Sequence, residues 1–193
     1  FAEVMTRMGL YPGAAKPPSS IGGEASGIIE KVGSDVVDFN VGDKVMGFAP
    51  FNSYSSHVNI EKKMLMKLPA QFTLEQGAAF PVVYITAFMM MRDLGNLKEN
   101  EYIFIRGAGG GVGTAAIQIA KALGAYVIGT TSATKENYVK SLGADKFVDY
   151  QSQYFEEIVD CVLACIGGDS IVERSIKVLR QNGRLISLLD DID

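Results

Sequence analysis

The sequence is poor in metal-binding side chains, with two cysteines and one histidine among 193 residues. A catalytic zinc takes about three protein ligands of the His, Cys or carboxylate type, and no cluster of that kind can be read along the chain. Cys161 and Cys165 both lie in "VDCVLACIGG". Four residues apart on a strand they face the same side, as two small apolar residues buried under a helix would. His57, in "SYSSHVNI", reads as a strand residue. Lysine and arginine form no basic cluster, and the formal net charge is −4, which argues against nucleic acid or an anionic membrane surface as the main partner. No apolar run reaches the ~18 residues of a membrane helix, since "GAAFPVVYITAFMMM" is broken by Pro81 and stops at Arg92. No signal peptide is recognisable, so a cytoplasmic protein is expected, and the abrupt start at Phe1 suggests that the natural start lies upstream. What remains is an ordinary globular profile, 48% hydrophobic with a mean hydropathy of +0.16, long enough for one domain or two small ones.

Glycine is concentrated in one place. "RGAGGGVG", Arg106 to Gly113, holds five glycines in eight residues. Glycine admits positive φ and close approach of another group, at a cost in any helix or strand interior. Before it, "YIFI" reads as a buried strand; after it, Val112, Ala116, Ile119, Ala120 and Leu123 recur at helical spacing until Gly124 stops the helix. A strand, a glycine turn and a helix N-terminus in succession make a site for a pyrophosphate. In the G-x-G-x-x-G frame, Ala108 takes the first place and Gly110 and Gly113 the second and third, so Ala108, Gly109, Gly110, Gly111, Val112 and Gly113 are the candidate phosphate-binding residues. The pattern continues with strands at "AYVIGTTS", "KFVDY", "VDCVLA" and "GRLISLL" and a helix at "KENYVKSLGA", the alternation of a doubly wound parallel sheet.

An NAD site would carry an acid about 20 residues on, to hold the ribose 2′ hydroxyl. Here no Asp or Glu occurs between Glu101 and Glu136. Thr131, Ser132 and Lys135 follow the second strand instead. Hydroxyls and a cation suit a 2′ phosphate, so the expected cofactor is NADPH.

The first half has another texture. "EASGIIEKVG", "VGDKVMGF", "SYSSHVNI" and "MLMKLP" read as short strands of a small barrel or irregular sheet, with a turn at Gly42-Asp43. "TLEQGAAFPVVYITAFMMMRDLG" reads as helical on both sides of Pro81, opened by a capping box from Thr73 to Gln76, with Met89, Met90 and Met91 as helix core. The expected division is a β-rich domain at 1–75 and a nucleotide-binding domain at 76–193.

"GGEASGIIEKVG", "VGDKVMGF", "AAFPVVYITAF" and "GAGGGVGTAAIQIAKALGA" together resemble the zinc-independent medium-chain dehydrogenase/reductase superfamily, which includes quinone oxidoreductases, the vesicle protein VAT-1 and synthase enoyl reductases. The resemblance covers nearly the whole chain. It implies a GroES-like domain followed by a Rossmann domain, both truncated here, because members carry further strands before Phe1 and after the fifth Rossmann strand. Gly22-Gly23-Glu24 lacks the histidine of the G-H-E stretch in the zinc enzymes, and their four-cysteine lobe is missing. The implied activity is hydride transfer to an enoyl thioester or enone; quinone reduction and non-catalytic NADPH binding are the alternatives. Tyr11, in "GLYPG", matches a proton donor of zinc-free enoyl reductases. Tyr84 and Thr86 match positions that approach the nicotinamide, so Tyr11 and Tyr84 are the catalytic candidates. Tyr150 matches a residue that packs near the adenosine phosphate. The implied partners are a small-molecule or carrier-linked enoyl substrate, within a homodimer or a larger synthase.

Overall fold

The computed structural model describes residues 2–14, 16–49 and 51–189. It divides into two compact units, Phe1–Val82 and Val83–Asp193. In the first, a short helix α1 (Ala2–Arg7) precedes strands β1 (Glu24–Ile28), β2 (Lys44–Phe48) and β3 (Leu65–Lys67). They form an antiparallel sheet in the order β1-β2-β3, with Glu24 opposite Phe48 and Ile28 opposite Lys44. Val45, Met46 and Ala49 supply its buried apolar residues. The turn before β2 uses Gly42 at φ 93°, and the Asp43 carboxylate accepts from the Asn40 amide at 3.0 Å.

"SYSSHVNI" is not a strand. Its serines close local turns, with Ser55 Oγ donating to the Asn52 carbonyl at 2.9 Å, and such bonds compete with a ladder. Tyr54 is 68% exposed, so the alternation that suggests a strand buries no face. His57 is an exposed loop residue whose ring lies 3.1 Å from Glu30 Oε2.

Helix α2 (Leu74–Ala78) opens with the expected capping box, Thr73 Oγ1 accepting from the Gln76 amide at 3.2 Å and Gln76 Oε1 from the Thr73 amide at 3.0 Å. Helix α3 (Pro81–Phe88) starts on proline, where the missing N–H costs nothing. It runs into a π-helical turn at Met89–Leu94, in which Met90 and Met91 are buried and Met89 stays half-exposed.

The second unit carries β4 (Tyr102–Arg106), β5 (Tyr126–Thr131), β6 (Lys146–Asp149), β7 (Val159–Ala164) and β8 (Leu179–Ser187), with helices α4 (Gly111–Ala122), α5 (Glu136–Ser141) and α6 (Asp169–Lys177) between them. All the pairings are parallel and the order is β6-β5-β4-β7-β8. The chain winds outward from β4, then returns to its other side at β7. Ile103, Ile105, Val127, Cys161 and Leu163 pack with Ala116, Ile117 and Ala120 of α4 on one face; Phe104, Ile128 and Val162 pack with Val178 and Phe155 on the other. Burial on both faces is why these strands read as continuous apolar runs. The last strand begins earlier than "GRLISLL", at Leu179, with an irregularity before Arg184 pairs Cys161.

At the N-terminal ends of the strands, charge fastens β8 to its neighbours. Asp160 accepts from the Tyr102 amide at 2.7 Å and pairs with Arg180 at 2.6 Å. Glu101 accepts from the Lys98 amide at 2.9 Å and pairs with Arg184 and Arg180. Burial works to raise the Glu101 carboxyl, but its hydrogen bonds and the two guanidinium charges outweigh it and hold the group below its usual 4.5. A carboxylate depressed in the folded state stabilises the fold above its unfolded pKa and loses that contribution as pH falls through the folded value. Glu101→Gln is therefore expected to lower stability at pH 7 by about 1.5–3 kcal/mol and to reduce the further loss below pH ~4.5, read from urea denaturation across pH. Equal stability of the two proteins at pH 7 would remove the network from the fold's energetics.

Candidate dinucleotide-binding site

Four of the five glycines from Gly107 to Gly113, at the end of β4 and the start of α4, have separate causes. Gly107 turns the chain at φ 75°, a conformation that side chains disfavour. Gly109 faces Thr131 and Lys135, and a Cβ on it would lie 2.6 Å from Thr131 Oγ1 and 2.7 Å from Lys135 Cδ. Gly113 presses α4 onto the turn, where a Cβ would lie 2.3 Å from the Gly107 carbonyl oxygen. Gly110 differs from these: a Cβ there would meet only the Gly107 oxygen, at 3.4 Å. Its missing side chain leaves open space. The positive φ thus falls at Gly107, one place before Ala108, which the spacing frame puts first. Ala108 is fully buried in the core and its amide donates to the Thr130 carbonyl at 3.0 Å.

The start of α4 has spare donors. Gly110 occupies its N-cap position and no side chain caps it. The first-turn amides of Gly111, Val112 and Gly113 therefore lack the partner that Thr73 gives to α2, and the positive end of the helix lies with them. Gly111 is exposed, and Val112 is half-buried against the core. An anion approaching past Gly110 would satisfy these groups.

One flank of the turn is cationic. After β5, a short 3-10 turn at Ala133–Lys135 brings Lys135 back so that its ammonium donates to the Gly109 carbonyl at 2.9 Å. Thr131 is buried against Gly109, and Ser132 Oγ lies 3.0 Å from Thr134 Oγ1. The nearest acid in sequence, Glu136, is paired with Lys140 at 2.6 Å. Gly109, Thr131 and Lys135 are therefore brought together, with Ser132 beside them in sequence.

Other candidates stand apart. Tyr84, on α3, accepts a hydrogen bond at its hydroxyl from Gln118 Nε2 at 2.7 Å, and Gln118 also donates to the Thr114 carbonyl at 3.2 Å. That joins α3 to the first turns of α4. The sequence signal for Gln118 was faint: one polar residue within an apolar helical run. Thr86 is half-buried two residues further along α3. Tyr150, in the turn after β6, is 62% exposed, and its hydroxyl accepts from Gln151 at 3.4 Å. Tyr11 belongs to the first unit, in a bend after α1; it is 38% exposed and meets the Phe51 ring edge-on at a centroid distance of 6.3 Å.

No three His, Cys, Asp or Glu side chains among the described residues come together to hold a metal. Glu24, of Gly22-Gly23-Glu24, accepts from the Val82 amide at 2.8 Å. Burial raises its carboxyl, that hydrogen bond lowers it, and the nearby Glu3 charge raises it, with a net upward result. Burial also pushes the thiols of Cys161 and Cys165 up to about 12, so both are inert apolar residues at neutral pH.

Residues 2–87 match the alcohol dehydrogenase GroES-like domain, and residues 111–188 match the zinc-binding dehydrogenase family. The zebrafish (Danio rerio) synaptic vesicle membrane protein VAT-1 homolog is 37% identical over 97% of this chain and 40% of its own length. Escherichia coli quinone oxidoreductase, solved in complex with NADPH, superposes with a TM-score of 0.87 at 34% identity, over 96% of this chain and 60% of its own. The CurK enoyl reductase gives 0.90 at 27% identity, over 99% of this chain and 63% of its own. The chain thus spans about two fifths to three fifths of the length of these three proteins. The β-rich unit is GroES-like and the parallel sheet is Rossmann-like.

Gly110 and Gly113 are expected to separate ligand from fold. Gly113→Ala forces a methyl group into backbone and should cost about 1–3 kcal/mol of stability, whereas Gly110→Val should leave the denaturation midpoint nearly unchanged and abolish nucleotide binding measured by calorimetry. Unchanged binding in Gly110→Val would place the phosphates elsewhere.

Proposed function

Because the chain belongs to the medium-chain dehydrogenase/reductase superfamily, we propose that the protein of which it is part is a metal-free, NADPH-dependent reductase of carbon-carbon double bonds conjugated to a carbonyl, with an enoyl thioester or enone as substrate. The observation that carries the cofactor assignment is the Lys135 ammonium on the Gly109 carbonyl at 2.9 Å, beside an uncapped helix start and with the nearest carboxylate after β5, Glu136, paired to Lys140. These donors fit a dinucleotide with a 2′ phosphate. The amides of Gly111, Val112 and Gly113 would hold the pyrophosphate, Gly110 would leave room for it, and Ser132 and Lys135 would hold the 2′ phosphate. Tyr84 and Thr86 would approach the nicotinamide. When bound, NADPH supplies the hydride. Reduction of the double bond then requires a proton on the carbon next to the carbonyl, and Tyr11 is the proposed donor.

The likeness to a quinone oxidoreductase supports quinone reduction as the second reading, since one cofactor site serves both. NADPH oxidation by the full-length protein against a crotonyl thioester, an enone and a quinone separates them, and tight cofactor binding without turnover would favour a binding protein. NADPH should bind far better than NADH, and Lys135→Ala should lower that preference by about tenfold to a hundredfold, the worth of a charge-assisted contact of ~1.5–3 kcal/mol. Equal affinities in the unmodified protein would overturn the NADPH assignment.

Tyr11→Phe keeps the ring and its packing on Phe51. It should slow enoyl thioester reduction by roughly 10²- to 10⁴-fold, while quinone reduction and NADPH affinity stay nearly intact, because a hydroquinone anion collects its proton from water. An unchanged rate, with unchanged stereochemistry of protonation in deuterated solvent, would make Tyr11 a structural turn residue.

A further inference from the structure

The face of the Rossmann sheet opposite α4 contains a cavity, of about 350 Å³, whose lining includes Phe104, Arg106, Tyr154, Phe155, Arg174 and Lys177. Its floor is aromatic, with Phe104 and Phe155 stacked at 4.2 Å. Its charge is predominantly positive. Arg106 leaves the end of β4, lies over the Phe104 ring at 5.4 Å, and donates to the Ile171 carbonyl of α6 at 3.4 Å. Arg174 and Lys177, three apart on α6, lie on one side of that helix, and Arg174 also covers the Tyr154 ring at 5.4 Å. Glu156 is the carboxylate on the wall. Among the described residues, no ion pair joins it, or any other acid, to these three cations.

Two of the charges have a local explanation. Arg174 and Lys177 sit in the last turn of α6, where cations oppose the negative end of the helix. Arg106 has no such reason. It is half-buried, and burial together with the positive charge of Arg174 disfavours its protonated form. A partly desolvated guanidinium beside a second one and without a counter-charge is costly. A bound anion would offset that cost. The space is roughly ten times a water molecule's share of liquid volume and lies within the range of small-ligand sites, so it holds more than a bare oxyanion.

We propose that this cavity binds an organic phosphate monoester, its dianion between Arg106 and Arg174 within reach of Lys177 and its organic part against Tyr154 and Phe155. Guanidinium forks match phosphate oxygens bidentately, and the exposed Tyr154 ring with the partly buried Phe155 ring offers an apolar wall. Gly109 and Gly110 of the glycine turn, and Lys135, do not line the cavity, whereas Tyr150, named above as a residue near the adenosine phosphate, does.

Calorimetric titration of the full-length protein with phenyl phosphate tests this, with inorganic phosphate and phenol as comparison probes. Phenyl phosphate should bind, inorganic phosphate should compete with it more weakly, and phenol should not bind. Arg106→Gln and Arg174→Gln should each weaken phenyl phosphate about tenfold or more. Glu156→Gln should strengthen it, and Gly110→Val, at the glycine turn, should leave it unchanged. Should Arg106→Gln disturb β4, Arg174→Gln, at the end of a surface helix, still decides the matter. No binding, equal affinity in the wild type and Arg174→Gln, or loss of binding in Gly110→Val would overturn the proposal.

Discussion

The contact on which the Rossmann-like unit depends is the one between Gly113 and the turn beneath it. With no side chain at Gly113, the first turn of α4 rests on the carbonyl of Gly107 and the backbone of Ala108, and the helix starts immediately after the strand. A longer connection would let the helix drift and its free amides turn away. The tight one fixes them at the carboxyl end of β4, beside the point where the chain returns from β6 to β7, which is where open parallel sheets receive ligands. Ala108 contributes by filling the core so that the turn cannot flex outward.

The two ends of the sheet divide the labour. At the amino ends of the strands, acids and arginines are matched: Asp160 with Arg180, and Glu101 with Arg184 and Arg180. These pairs join β4, β7 and β8. At the carboxyl ends, donors outnumber acceptors. The uncapped start of α4, Lys135 and the guanidinium of Arg106 lie there with little negative charge to meet them. Charge is thus paired at one end of the sheet and left electropositive at the other.

Much of this was legible in the sequence because it is dictated locally. Strands β4, β5 and β7 are buried on both faces and stand out as short apolar runs between glycines and charges. Thr73 and Gln76 announce α2 through a contact three residues long. What escaped depends on distance or on conformation. Spacing alone could not show that the positive φ belongs to Gly107, because a glycine motif marks which residues lack side chains and not which of them needs to. "SYSSHVNI" alternates as a strand would, yet its serines bond to neighbouring backbone. Gln118 finds Tyr84 34 positions away, and Arg106 finds Ile171 65 positions away; neither partnership leaves a trace in either local segment.

Lys135 resting on the Gly109 carbonyl has an implication for how one cofactor could be preferred over another. An ammonium already held by a backbone oxygen is neither stranded nor repelled when a ribose without a 2′ phosphate occupies the site; it keeps the partner it has. On the proposed reading, discrimination then comes wholly from attraction, through what the phosphate gains beyond the Gly109 bond. The unphosphorylated dinucleotide meets no obstacle, so it would be tolerated rather than refused, and the ratio between the two would fall as ionic strength rises.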